Sequence, residues 1–293
     1  MDDQQRAGWF KDHRSHLRGV AYRMLGSLSE ADDAVQEAWL RLNRSDTGEV
    51  QNLRGWLTTV VARVCLDNLR AREARCEEPL GPHVPDPIVS RDDETNPEHH
   101  ALVADAVGLA LLVVLETLPP AERLAFVLHD MFAVPFDEIA PLVNRSPTAT
   151  RQLATRARRR VRAGTPISDP DLRRQRHVVD AFLAAARDGD LDALLAVLDP
   201  DVVLRADGGA QRPRNSRVVR GASATARQAL SFSSLGHFTQ TALVNGAAGL
   251  VVTAPHGPFS VMGFTIKNGK IVEIDILADP ARLDQLDLTL LRG

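Results

Sequence analysis

From Arg145 to Arg162 the chain reads RSPTATRQLATRARRRVR, with seven arginines and no acidic residue. Few folds accommodate such a run. Ser146 can cap a helix through its hydroxyl, and Pro147 suits the first helical position, where its missing N–H costs nothing. Ala149, Leu153, Ala157 and Val161 recur every four residues as an apolar stripe, while Thr148, Arg151, Gln152, Thr155, Arg156 and Arg159 fall on another face. A buried stripe backed by Arg, Gln and Thr is how a recognition helix meets a DNA major groove. The plainer alternative is a solvated, charged surface helix. Upstream, Glu122–Phe132 is amphipathic, Phe136–Val143 reads as a short second helix, and Asn144-Arg145 makes the turn, which together give a helix-turn-helix pattern.

The whole chain has 293 residues and a formal net charge of −3, so positive charge is concentrated in this run. That length predicts two or three domains, and 44% hydrophobic residues support folded cores. The first residues, MDDQQRAGWFKDHRSHLR, mix both signs of charge without an apolar core, so no signal peptide is expected. The longest apolar stretch, Ala106–Leu115, is too short for a bilayer. Cys65 and Cys76 read as reduced thiols, which points to a cytoplasmic protein. His99-His100 lacks carboxylates or thiolates at ligand spacing, so no metal is expected. No cofactor is expected either.

Residues 8–76 read as all helix. Gly26 breaks the first helix, Ser29 is placed to cap a second, and Asn52 to cap a third that runs to Arg75. Residues 77–98 form a linker whose prolines (Pro79, Pro82, Pro85, Pro87, Pro97) oppose helix. Residues 99–164 open with a helix over His99–Thr117 and hold the helix-turn-helix. Residues 172–293 change grammar. Helices over Leu172–Arg187 and Leu191–Leu198 precede strands at Val202–Arg205, Thr239–Val244, Leu250–Thr253, Ser260–Ile266 and Ile271–Leu277. Asn268-Gly269 is a two-residue hairpin signal. Pairing across it puts Val261, Gly263, Thr265, Val272, Ile274 and Ile276 on one face, and Met262, Phe264, Ile266, Ile271, Glu273 and Asp275 on the other. The reading is multidomain: two all-α domains followed by an α+β domain whose curved sheet lines a pocket.

The order of these segments resembles extracytoplasmic-function RNA polymerase sigma factors. Ala21-Tyr22-Arg23-Met24-Leu25-Gly26 with Glu30–Leu42 resembles the core of sigma region two, and Gly55–Asp67 the helix that follows it. Ser146–Leu153 with Arg156-Ala157-Arg158 resembles the reading helix of region four. The last domain resembles the SnoaL-like branch of the NTF2-like cone fold, as in the sigma J-type subgroup. That subgroup's Trp-Leu-Pro-Glu-Pro linker motif is met loosely by His83-Val84-Pro85-Asp86-Pro87. Its Asp-Gly-Gly-Gly motif is met by Asp207-Gly208-Gly209-Ala210, and its Asn-Pro-x-Lys-Leu motif by Asp279-Pro280-Ala281-Arg282-Leu283.

The resemblance implies a promoter-specificity subunit without enzymatic activity, whose partners are core RNA polymerase (beta-prime clamp and beta flap) and promoter DNA. It assigns Thr148, Thr150, Arg151, Gln152, Thr155, Arg156 and Arg159 to the minus-35 element. Asn52, Arg54, Trp56, Arg63, Asp67 and Arg70 fall to the minus-10 element, although Trp56 suits a core as well. Asp32, Asp33, Gln36, Glu37 and Leu40 form the expected polymerase contact. Pro85, Asp86, Pro87, Asp207, Gly208, Gly209, Asp279 and Pro280 are the expected regulatory set, with a small ligand in the last domain and no anti-sigma factor implied. A second reading makes that domain a SnoaL-like cyclase or isomerase with Asp207, His237 and His256 as polar pocket groups.

Overall fold

A computed structural model describes residues 3–44, 52–75, 81–91, 108–164, 168–255 and 257–288. The loop before Asn52, Cys76, Pro79, Pro97, His99-His100, the expected helix start at His99, and His256 lie outside the described residues. The chain divides into two compact units. One joins residues 1–78 to 114–164, and the other joins 79–113 to 165–293.

The first unit is helical. Helices α1 (Asp3–Leu25), α2 (Leu28–Arg44) and α3 (Leu53–Ala74) pack around Leu17, Met24, Val35, Leu42, Leu57 and Leu66, all essentially inaccessible. Each such leucine contributes roughly 1.5–3 kcal/mol by leaving water. Gly26 ends α1 with φ +71. Asn52 caps α3 as expected, its side chain accepting from Gly55 N–H at 2.9 Å. The cap of α2 is corrected: Ser27, not Ser29, reaches the first-turn N–H of Glu30 at 3.5 Å, because the helix begins one residue before Ser29.

After α4 (Leu109–Glu116) come α5 (Pro120–Phe126), α6 (Phe136–Val143) and α7 (Pro147–Gly164). The expected single helix over Glu122–Phe132 instead passes into a π turn at Val127–Met131 and stops at Ala133, whose φ is +55. Asn144, at φ +53, makes the left-handed turn between α6 and α7. Arg123 is buried and donates from Nη1 to the Met24 carbonyl at 2.9 Å, one of the carbonyls left open at the C-terminus of α1. Burial pulls its guanidinium down to about 10.

The second unit is α+β. Helices α8 (Leu172–Asp188) and α9 (Leu191–Val197) start on Asp171 and Asp190, whose carboxylates accept first-turn N–H groups. The strands are β1 (Val89–Ser90), β2 (Leu198–Asp207), β3 (Arg217–Arg220), β4 (Thr239–Val244), β5 (Ala247–Ala254), β6 (Gly257–Lys267) and β7 (Lys270–Leu277), with α10 (Ala222–Leu230) after β3 and α11 (Pro280–Leu283) at the end. They form one sheet in the order β1-β4-β5-β6-β7-β2-β3, in which only the β2–β7 pairing is parallel. Its concave face meets α8 through Phe182, whose ring stands edge-on to Phe264 at 5.5 Å, over a core that includes Leu194, Leu204, Leu250 and Ile274.

The expected Asn268-Gly269 hairpin is present, with both residues at positive φ (+53 and +73). The expected faces are corrected. A bulge after Ile266↔Ile271 leaves Val272 without an opposite residue, so Thr265 pairs with Glu273, Phe264 with Ile274 and Met262 with Ile276. That one-residue slip gathers Met262, Phe264, Ile274 and Ile276 on the concave face. Gly263, Thr265, Glu273 and Asp275 go to the convex face.

Candidate nucleic-acid interface and linker clasp

Helix α7 begins as its sequence predicts. Ser146 Oγ accepts from Ala149 N–H at 3.2 Å, and Pro147 takes the first position. The buried stripe is Thr150, Leu153, Ala154, Ala157 and Val161, spaced for one helical face. Thr148, Arg151, Gln152, Thr155, Arg156 and Arg159 are exposed. Thr150 is a correction. It is 0% accessible, and its hydroxyl donates to Ser146 O at 3.0 Å. With its polar group satisfied inside the helix, this threonine packs as a core residue and cannot meet DNA from that position.

Two of the exposed arginines are held from below. Glu122, 6% accessible, accepts from Arg156 Nε and Arg160 Nη1, both at 2.8 Å. Arg158 pairs with Asp130, and the Arg151 guanidinium lies 5.4 Å over the Phe136 ring. Glu122 is a neighbour of the basic face that the sequence did not advertise. An acidic residue in a helix's first turn already has a reason to be there.

On α3, Arg63, Asp67 and Arg70 are exposed and project together, Asn52 and Arg54 are exposed at its start, and Trp56 is half-buried. Arg54 also bonds His16 at 3.2 Å. On α2, Asp33, Gln36 and Leu40 are exposed, Leu40 at 39%. Asp32 and Glu37 are half-buried in ion pairs, with Arg18 at 3.0 Å and Arg41 at 2.9 Å respectively.

The expected regulatory residues, distant in sequence, converge in the second unit on one side chain, Arg282 of α11. Its Nε donates to Asp86 Oδ1 at 2.7 Å, its Nη1 to Asp207 Oδ2 at 2.8 Å, and its Nη2 to Val84 O at 2.6 Å. Asp207 Oδ2 also accepts from Val84 N–H at 3.1 Å and faces His83 Nδ1 at 3.2 Å. Burial alone would raise the Asp207 carboxyl. The hydrogen bonds from His83, Val84 N–H and Gly209 N–H, with the Arg282 charge, hold it below the usual carboxylate range. Gly209 (φ +65) leaves room for Asp279, whose carboxylate accepts from Ala281 N–H at 3.0 Å and caps α11 at Pro280. Pro85 and Pro87 are buried beside Asp86, and Gly208 donates to Ser216 Oγ at 3.0 Å. The linker then runs into β1. Val89 and Ser90 pair with Val244 and Leu243, and Ile88 exchanges two hydrogen bonds with Asn245.

Residues 9–75 match the Sigma-70 region 2 family, and residues 108–161 match Sigma-70, region 4. The ECF RNA polymerase sigma factor SigJ of Mycobacterium tuberculosis is 39% identical over 92% of this chain and 91% of its own. The chain belongs to the ECF RNA polymerase sigma factors. SigI from the same species is 36% identical over 97% of this chain and 96% of its own. The crystal structure of SigJ superposes with a TM-score of 0.80 at 38% identity, covering 96% of this chain and 99% of that one.

As a sigma factor the chain acts in promoter-specific transcription initiation and is not an enzyme. Asp207 bonds Arg282, His237 is exposed, and the described residues lining the hollow of the C-terminal sheet include no carboxylate or imidazole. Among the described residues no helix is long and apolar enough to cross a membrane. Two clasp residues escaped the sequence reading. Arg282 lies inside the Asp279–Leu283 motif, and Asn245 opens an Asn-Gly pair at positive φ between β4 and β5, the same signal as that of the later hairpin.

Proposed function

We propose that this sigma factor is restrained by its own C-terminal domain, which holds the linker until core polymerase takes it. In this reading the exposed face of α7 reads the minus-35 element, with Arg151 and Gln152 on base edges and the remaining arginines on phosphates. Asn52, Arg54, Trp56, Arg63, Asp67 and Arg70 hold the melted minus-10 strand, which needs basic support and a stacking surface. The α2 face with Asp33, Gln36 and Leu40 meets the beta-prime clamp, and the end of α7 meets the beta flap. The site of action is the cytoplasm, with the polymerase.

The observation that carries the restraint is Arg282, bonded to Asp86 and Val84 of the linker and to Asp207 of the sheet. The sigma-factor resemblance implies a linker that threads through the polymerase, and one with its backbone paired to β4 and its carboxylate on Arg282 cannot do so at the same time. Runoff transcription with purified core tests this. Arg282→Ala should yield several-fold more transcript than the wild-type chain at equal concentration. Less transcript, with the fold intact by circular dichroism, would turn the clasp into an activating contact and defeat the reading.

A further inference from the structure

The face of the C-terminal sheet that packs under α8 lines an open-mouthed cavity of about 110 Å³ that neither DNA reading nor linker holding uses. A buried water needs only about 10–15 Å³ on such a measure, so the space suits a small organic molecule rather than one solvent. Phe182 of α8, Leu250 of β5, Met262 of β6 and Ile276 of β7 make its wall. The hairpin slip described above is what aims Met262 and Ile276 inward. Arg217 is the charged side chain of the lining among the described residues, and its Nη atoms donate to neutral oxygens of Gln228 and Arg214. A cationic ligand is disfavoured there.

One polar group in this wall lacks a partner. Ser260 of β6 is 2% accessible, lines the cavity, and its Oγ has no hydrogen-bond partner among the described residues. Thr239, also on the wall, donates its hydroxyl to Leu235 O and is satisfied. Buried hydroxyls are normally paired, and an orphan facing an apolar hollow of ligand size is the mark of a group awaiting a partner.

We propose that this cavity binds an apolar ring compound, neutral or acidic, whose single hydroxyl or carbonyl oxygen pairs with Ser260. This site does not rest on the linker clasp. It adds to the expectation of a small ligand the chemistry of that ligand and the residue that selects it.

Titration of the full chain with 2-naphthol and with naphthalene, followed by their own fluorescence, is the test. The wild-type chain should bind one 2-naphthol, about 5–10-fold more tightly than naphthalene, as one satisfied hydrogen bond implies. Ser260→Ala should bring 2-naphthol down to the naphthalene level and leave naphthalene unchanged. Ala186→Phe, which adds a ring at the cavity wall, should remove both. Should that variant fail to fold, judged by its thermal transition, Ser260→Ala decides by itself. Non-saturable binding to the wild-type chain would overturn the site. Saturable binding indifferent to Ser260→Ala would overturn the proposed recognition.

Discussion

Arg282 and Asp86 are 196 residues apart in sequence, yet Arg282 Nε donates to Asp86 Oδ1 at 2.7 Å. Closing so long a loop carries an entropic cost that grows only slowly with its length, so a few good contacts suffice to hold it. Here the contacts include a charge-assisted hydrogen bond to a buried carboxylate, two hydrogen bonds between Ile88 and Asn245, one of them to the Asn245 side chain, and the short β1–β4 pairing. None is covalent, and all lie in one segment. That is the form of a holder that a larger partner can outcompete.

Gly209→Ala should loosen the clasp without touching its charges. At φ +65 an L-residue is strained, and the new Cβ would lie 2.1 Å from Asp279 Oδ2. Asp279 cannot yield freely, because it caps α11. The loss of stability should reach about 2–3 kcal/mol in urea denaturation. Gly189→Ala, at φ +74 with nothing within 4 Å of a Cβ, should cost only about 1 kcal/mol. Equal losses at the two positions would contradict the packing account.

Arg151→Ala should lower promoter-specific initiation by roughly 10-fold or more, as loss of a bidentate base contact would. Affinity for core polymerase should not change, since Arg151 lies near the start of α7 and the contact proposed for the beta flap is at its other end. Filter binding to core and runoff transcription separate the two. A parallel loss of core binding would mean that the helix has another task.

Asp275 governs a pH-dependent term. Its carboxyl is pushed up to about 6, chiefly by burial, with Glu273 adding to the rise and Arg205 opposing it. Two buried carboxylates share one guanidinium, Arg205, at 2.9 and 3.0 Å, so its charge only partly offsets the desolvation of Asp275. The fold therefore prefers the neutral acid. Its stabilising contribution is full below about pH 4 and is lost as pH rises through about 6. Asp275→Asn removes this term. The variant should gain on the wild-type chain by about 2 kcal/mol between pH 4 and pH 7 in urea unfolding. Parallel stability curves would contradict it.

How far sequence carried each feature follows from how local its cause is. Asn52, Ser146-Pro147 and Asn268-Gly269 act within three residues of themselves, and each does in the fold what its type predicts. The strand faces failed because the turn fixes where a hairpin starts but not where a residue drops out of the ladder. Val272 carries no mark of being that residue. Thr150 looked polar, but a hydroxyl bonded to the carbonyl four residues back can sit in a core. The motif residues around Asp86, Asp207 and Asp279 could be quoted from a resemblance. The meeting of Asp86 and Asp207 on Arg282 is a long-range event with no local signature.

The restraint itself is tested most directly by locking it. Ser90 and Leu243 stand opposite each other across the antiparallel β1–β4 pair, a separation a disulfide can bridge. In a chain carrying Ser90→Cys, Leu243→Cys and Cys76→Ser, with Cys65 buried in the helical unit, oxidation would fasten the linker to the sheet. Runoff transcription by the oxidised protein should fall about tenfold or more against the same protein after reductant, as expected when release needs a bond broken first. Equal transcription from oxidised and reduced protein would show that the linker need not leave the C-terminal domain, and would contradict the account.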